Sequence, residues 1–102
     1  MYLGRVEGRV VCTQRYASPR GSLAGIALQW LQPLDEDGRD MGPKLVAATV
    51  ISSGPGDVVH WIDGREAAVA CPDTFVPVDA TILGWVESAV HENGRDLAQE
   101  RR

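Results

Sequence analysis

Residues 2–13 have the sequence YLGRVEGRVVCT, whose side chains alternate between the two faces of an extended chain. The pattern predicts a long, half-buried strand over Tyr2–Thr13, whose apolar face carries Tyr2, Gly4, Val6, Gly8, Val10 and Cys12. Two glycines on an apolar face allow a sharp bend or the close approach of another chain segment, as at the corner of a small barrel. On that face Cys12 is expected to be a buried structural thiol.

Four more segments have the composition of strands, and turn residues separate them. They are Ile26–Leu34, Leu45–Ile51, Val58–Ile62 and about Thr81–Val90. The acidic turn Asp35-Glu36-Asp37-Gly38 predicts an antiparallel hairpin with a longer loop between the second and third strands. A short helix is predicted over Arg65–Ala70, and it must pack on the sheet because it is too short to be stable alone. Five short strands and one helix predict an all-β fold, a closed or partly open barrel.

The same alternation assigns side chains to the faces of the later strands. One face of the second strand is shared by Ile26, Leu28 and Trp30, and one face of the third strand is shared by Val46, Ala48 and Val50. Trp61 and Trp85 lie opposite the main apolar rows of their strands. The pattern therefore predicts an outward-facing aromatic surface, and such surfaces usually mark sites of association.

The chain has 102 residues, which is enough for one hydrophobic core and not for two. We expect the folded domain to span residues 1–90. Gln14–Gly25 contains few large apolar side chains and is expected to be an exposed loop. The polar tail over residues 91–102 lacks an apolar stripe wide enough for docking, so we expect it to be disordered or a frayed helix.

Charge and cysteine usage argue against several classes of protein. The 14 acidic side chains outnumber the 10 basic ones, which disfavours a protein that works mainly by neutralising phosphates. Nine of the ten cations are arginine, the cation preferred at protein interfaces. Two distant cysteines give no disulfide framework, which fits a reducing cytosolic compartment. Neither a signal region nor a bilayer-length apolar stretch is present, so a soluble, unprocessed chain is expected.

The candidate catalytic and metal-binding side chains are too scattered to predict a site. Cys12, Cys71, His60 and His91 lack the short spacings that let two ligands share one metal ion. Gly54-Pro55-Gly56 opens a strand, whereas a phosphate-binding glycine loop opens a helix. We therefore predict no catalytic residue, cofactor or metal. A small enzyme that uses Cys71 or His60 is the weakest hypothesis.

Several motifs resemble those of one known family when they are taken in order. The opening MYLGRVEGRVV, residues 1–11, resembles the start of bacterial microcompartment vertex proteins, the EutN/CcmL family. Further similar landmarks are Leu31-Gln32-Pro33-Leu34-Asp35, Leu45-Val46-Ala47, Gly54-Pro55-Gly56-Asp57-Val58-Val59 and Pro77-Val78-Asp79-Ala80-Thr81-Ile82. The resemblance covers about residues 1–90, and it agrees with the barrel that the strand pattern predicts.

The resemblance implies a function as well as a fold. It implies a small five-stranded OB-like barrel that assembles as a cyclic homopentamer, lies in the shell of a cytoplasmic microcompartment and closes its five-fold vertices beside hexameric shell proteins. It implies no catalysis and no cofactor. It also implies an oligomer-interface or pore loop made of Ser52, Ser53, Gly54, Pro55, Gly56 and Asp57. Further assembly residues are Pro77, Val78, Asp79 and Ala80 in a turn, and Trp85, Val86 and Glu87 in the last strand.

A binding module is the alternative hypothesis. An OB-fold that binds single-stranded nucleic acid stacks bases on exposed aromatic rings, and the three tryptophans are candidates for such platforms. The net charge of −4 opposes this function, so we expect protein partners and neither nucleic acid nor a membrane.

Overall fold

The computed structural model describes residues 1–12, 17–18, 21–22, 26–71, 78–87 and 94. Within them lie seven strands and one helix. In chain order they are β1 (Tyr2–Val10), β2 (Ala17–Ser18), β3 (Gly21–Ser22), β4 (Ala27–Leu34), β5 (Leu45–Thr49), β6 (Val58–Asp63), α1 (Arg65–Val69) and β7 (Ala80–Trp85). No helix in this part of the chain has the length and apolar character that crossing a bilayer requires.

The five longer strands close into a barrel. Their order around it is β1-β4-β5-β7-β6, and β6 pairs with β1 to complete the circle. Neighbouring strands are antiparallel except β5 and β7, which are parallel. The closed form of the predicted barrel is therefore confirmed, as is the antiparallel hairpin between the second and third predicted strands.

The interior of the barrel is filled by apolar side chains from all five strands. Its buried members are Val6, Leu31, Ala47, Val59, Trp61, Ala80 and Ile82. A Cβ atom added at Gly4 would lie 2.7 Å from Cδ1 of Leu31, so a side chain at this position would overlap the core. The close approach that the sequence predicts for a glycine on β1 is thus present at Gly4.

A β-bulge on β1 changes the predicted pattern of exposure. The pairing of β1 with β4 shifts between Val6 and Gly8, so the strict alternation ends at Val6. The strand ends at Val10 instead of Thr13, which lies outside the described residues. Cys12 is exposed, and the prediction of a buried thiol at this position is wrong, because the strand ends before it reaches that residue.

The face of β4 predicted to be shared by Ile26, Leu28 and Trp30 is confirmed, whereas the outward orientation predicted for Trp61 on β6 is corrected. On β4 the buried neighbours Gln29 and Leu31 flank Trp30, which is 44% exposed. Trp61 is 6% exposed, so the prediction that it faces outward is wrong. Its ring fills the barrel while its indole N–H donates to the carbonyl of Leu3 at 3.1 Å, which lets a tryptophan be buried at little cost. For Trp85, which is 58% exposed, the outward prediction is confirmed.

A second apolar cluster packs outside the barrel, against the helix. Its buried members are Ile26, Ala48 and Cys71, with Leu28, Ala68 and Val78 packed beside them. The hydroxyl of Thr81 on β7 donates to the carbonyl of Ala67 at 2.7 Å and holds α1 on the sheet. The short helix predicted to lean on the sheet is therefore confirmed, ending at Val69, one residue earlier than predicted.

The segment predicted as an exposed loop between the first two long strands contains extended structure. Ala17–Ser18 and Gly21–Ser22 pair as a two-stranded antiparallel sheet, so the prediction of a plain loop is wrong there. The last strand ends at Trp85, whereas the sequence pattern predicts Thr81–Val90, and residues 88–90 lie outside the described part. The tail predicted to be disordered or frayed, 91–102, is also outside it apart from Gly94.

Candidate assembly surface

The loop Ser52–Asp57 connects β5 to β6 and is held by its own hydrogen bonds. The backbone N–H of Gly54 donates to Oδ2 of Asp57 at 2.9 Å, and the N–H of Asp57 donates to the carbonyl of Gly54 at 3.1 Å. Gly56 has a φ of 91°, a backbone conformation that other residues adopt only with strain. The loop is therefore a closed turn whose shape depends on Gly56.

Strand β1 anchors one side of this loop. The N–H of Gly56 donates to the carbonyl of Val6 at 2.8 Å, and the N–H of Val6 donates to the carbonyl of Asp57 at 2.9 Å. Regular pairing between β1 and β6 ends at Arg5 and Val58, so these two bonds carry the ladder into the loop. These bonds attach the loop to the barrel wall.

A buried side chain on β4 anchors the other side. Gln29 is 7% exposed; its amide donates to the carbonyl of Ser53, and the hydroxyl of Ser53 donates to Oε1 of Gln29 at 2.6 Å. The paired bonds satisfy both polar ends of the buried amide. Sequence analysis missed Gln29, although a glutamine among the apolar side chains of a strand is a signal that a buried polar partner exists.

The structure brings Trp85, Val86 and Glu87 next to this loop. Trp85 pairs with Val59, and the N–H of Val86 donates to the carbonyl of Val58 at 2.9 Å, one residue beyond the loop. Val86 is half-buried and packs against a small cluster of Leu34 and Val58. Trp85 and Glu87 are exposed. Two of the three predicted assembly segments therefore share one end of the barrel.

The third predicted segment, Pro77-Val78-Asp79-Ala80, lies at the other end of β7 in its described part, Val78 to Ala80. Ala80 pairs with Asp63, and the carbonyl of Asp79 accepts a hydrogen bond from the N–H of Gly64 at 2.9 Å. Five residue steps along β7 separate Ala80 from Trp85, roughly 17 Å of strand. Pro77 itself lies outside the described residues. This turn is thus not part of the surface that the loop and the last strand form.

The geometry gives little support to catalytic chemistry. Cys71 is 3% exposed, and its sulfur lies 3.6 Å from the carbonyl of Ala67 and 3.8 Å from the hydroxyl of Thr81. Both of these groups are neutral, and neither is the cationic neighbour that activates a nucleophile. Within the described ranges, no three His, Cys, Asp or Glu side chains are placed to hold a metal ion together.

A network of charged side chains covers the outer face of β1 near the bulge. Nη2 of Arg5 lies 2.9 Å from Oε1 of Glu7 and 3.0 Å from Oδ1 of Asp40. Nζ of Lys44 lies 3.9 Å from the same oxygen of Glu7. The hydrogen bond from Arg5 lowers the pKa of Glu7, and the same bond raises the pKa of Arg5. This network fixes the charged edge of the β1, β4 and β5 face.

We expect Glu7→Gln to flatten the acid dependence of stability. Because the pKa of Glu7 is lower in the folded chain than its ordinary value of 4.5, its charge stabilises the fold above that value, and this contribution is lost as the pH falls through the folded pKa. Urea unfolding measured from pH 7 down to about pH 3 checks this, with the steeper loss in the wild type. Glu36→Gln, in the exposed turn, is the matched control; equal slopes for wild type and Glu7→Gln would contradict the assignment.

Comparisons with known proteins agree on one family. The family model described as ethanolamine utilisation protein EutN/carboxysome matches residues 1–87. The shell vertex protein EutN of Salmonella typhimurium is 32% identical over 90 residues, which is 88% of this chain and 87% of that protein. The structure of CcmL from Gloeobacter violaceus superposes with a TM-score of 0.80 at 31% identity, covering 95% of each chain.

A third relative is described as a pentamer. GrpN from Rhodospirillum rubrum, described as a pentameric microcompartment shell protein, has a TM-score of 0.71 at 28% identity and covers 87% of this chain and 98% of its own. These relatives are structural shell proteins, which confirms the expectation that the chain is not an enzyme. A closed five-stranded barrel, the ordered motifs and the match over nearly the whole chain together show that this protein belongs to the EutN/CcmL family of bacterial microcompartment shell vertex proteins.

Proposed function

We propose that five copies of this chain form a ring that closes the five-fold vertices of a microcompartment shell, with hexameric shell proteins as its neighbours. The observation that carries the proposal is the family match over residues 1–87, together with a relative described as pentameric that covers 87% of this chain. A vertex of a closed polyhedral shell needs a five-fold unit, and a ring of five identical subunits supplies that symmetry.

The Ser52–Asp57 loop and the Trp85–Glu87 segment form one surface, and we assign it to assembly. A ring closes only if the angle between subunits is fixed, so its contacts must come from rigid parts of the fold. The loop is bonded to Val6 on one side and to Gln29 on the other, and these bonds supply that rigidity. Trp85 adds a large exposed aromatic ring of the kind that anchors interfaces. The turn that includes Asp79 lies at a different end of the barrel and is not part of this surface.

Native mass spectrometry of the wild type and of Gly56→Val tests this assignment. We expect the wild type to have five times the 11.0 kDa mass of one chain. Gly56→Val forces a branched side chain into a φ of 91°, which strains the local backbone by about 1–3 kcal/mol. This strain should distort the loop, so we expect less pentamer. The barrel should stay folded, because a Cβ at Gly56 has open space around it.

Gly42→Val is the matched control for this experiment. Gly42 also has a positive φ, 77°, and a Cβ added there would have open space around it, but it lies in the β4–β5 connection, away from the loop. It should carry the same backbone strain and remain pentameric. A monomeric wild type would contradict the proposed function, whereas a pentameric Gly56→Val would contradict only the role of the loop.

A further inference from the structure

The outer face of β1, β4 and β5 carries an apolar strip that no part of the described chain covers. Gly8, Trp30 and Val46 pair in register across the three strands, so their side-chain positions share one face. Trp30 is 44% exposed and Val46 is 38% exposed. We call these three residues the Trp30 strip.

Different kinds of structure border the strip on its two sides. On one side, the next row of the same face contains Leu28 and Ala48, which pack beneath α1 together with Ala68. On the other side lie Arg5, Glu7 and Lys44 of the charged network. An apolar centre with a fixed charged rim is the usual anatomy of a protein interface.

Gly8 makes the strip more accessible than the fold requires. A Cβ atom at this position would lie 3.9 Å from Cδ1 of Trp30, an ordinary contact, and Gly8 does not have a positive φ. Neither space nor backbone conformation therefore demands glycine here. Its effect is to leave the β1 side of the Trp30 ring uncovered, so that a group from outside can pack against the indole.

A second patch of matching character lies elsewhere on the barrel. Of the three tryptophans, Trp30 and Trp85 are exposed, and they lie on strands that β5 separates, so they belong to different faces. Both rims carry charged side chains: Lys44, whose side chain is 54% exposed and lies 3.9 Å from Glu7, stands two residues before Val46, and Glu87 follows Trp85 by two. A ring of identical subunits requires two unlike patches that fit each other.

We propose that the Trp30 strip of one copy receives the Trp85 end of the next copy around the ring. This inference rests on the proposed pentamer and names both halves of its subunit contact. Two tryptophans that are exposed in the single chain become buried at the centre of this contact, which gives it a large apolar area inside a charged rim. The partner of the strip is a second copy of this chain, because a ring buries two unlike faces of every subunit.

A mixing experiment with Trp30→Glu and Trp85→Glu tests the pairing. Each variant alone should lose the pentamer, with self-association weakened about tenfold or more. Trp30→Glu keeps an intact Trp85 end, and Trp85→Glu keeps an intact Trp30 strip. An equimolar mixture should therefore form heterodimers through the one intact contact, and these cannot grow further. The two variants have identical masses, so one of them is labelled with ¹⁵N; native mass spectrometry then resolves the two variants and counts them in each complex.

The controls separate loss of contact from loss of folding. Val69→Glu replaces an apolar side chain that is 62% exposed on α1 and should leave the pentamer intact. Val46→Glu alters the strip without touching a tryptophan and should behave like Trp30→Glu, which keeps the test valid if Trp30→Glu fails to fold. Circular dichroism verifies the fold of each variant.

The failures of the two proposals are distinguishable. Trp30→Glu and Val46→Glu that both remain pentameric would overturn the inference and leave the pentamer standing. A mixture without heterodimers would overturn the pairing of the two patches. A wild type that is monomeric at every concentration would overturn the proposed function and, with it, this inference.

Discussion

Leu31→Ala is expected to lower the free energy of unfolding by about 2–5 kcal/mol. Leu31 is 0% exposed and lies among the interior residues of the barrel. It pairs with Val6 on β1 and with Leu45 on β5, so its loss leaves a cavity where three strands meet. The walls of a closed barrel cannot collapse into such a cavity without breaking the ladder, which favours the upper part of the range.

Urea unfolding followed by tryptophan fluorescence measures this loss. Leu28→Ala is the control, because Leu28 lies three residues away on the same strand and is half-buried outside the barrel. Wild type and variants must be compared at one protein concentration, since self-association raises apparent stability. A loss below about 1 kcal/mol for Leu31→Ala would contradict its place at the centre of the core.

Gly4→Ala is expected to destabilise the fold by about 1–3 kcal/mol through overpacking. The added Cβ would lie 2.7 Å from Cδ1 of Leu31, 3.1 Å from its Cγ and 3.2 Å from Cδ1 of Trp61. Both neighbours are buried, so neither can move aside freely. In the interior of a strand, glycine is ordinarily less favourable than alanine, so an exchange to alanine would normally stabilise the fold. A loss of stability in Gly4→Ala would therefore show that the backbone of β1 lies close to its neighbours at this position.

A size exchange between two residues tests the cause. Leu31→Val removes the Cδ atom that the new Cβ would meet, so Gly4→Ala/Leu31→Val should be less destabilised than the two single variants together, by about 0.5 kcal/mol or more. Gly8→Ala is the control, since the nearest atom to its Cβ would be Cδ1 of Trp30 at 3.9 Å. Equal effects of Gly4→Ala and Gly8→Ala would argue against crowding at Gly4.

Closure of the barrel also bears on how the protein associates. Each of the five long strands has a neighbour on both sides, so the barrel offers no free edge to which another chain could add a strand. Contacts between copies through the barrel must therefore be made by side chains and loops. Exposed tryptophans on two faces and a loop bonded to β1 and β4 suit that mode of association.

Local sequence pattern was sufficient for the features that depend on neighbouring residues. Five strands, the β4–β5 hairpin and the short helix follow from alternation, from turn residues and from Pro72 after Cys71. The order of weak motifs along the chain was enough to indicate the family. Each of these features is encoded by residues that are close in sequence, which is why they could be predicted.

Only the folded chain shows which face of each strand is buried and which distant segments lie in contact. A bulge after Val6 ended the alternation of β1, and pairing of β6 with both β1 and β7 turned Trp61 into the barrel. The bonds between Gln29 and Ser53 join residues 24 positions apart, and Val86 reaches Val58 across the sheet. Periodicity gives the two faces of a strand but not which one becomes the interior, because that depends on pairing with strands distant in sequence.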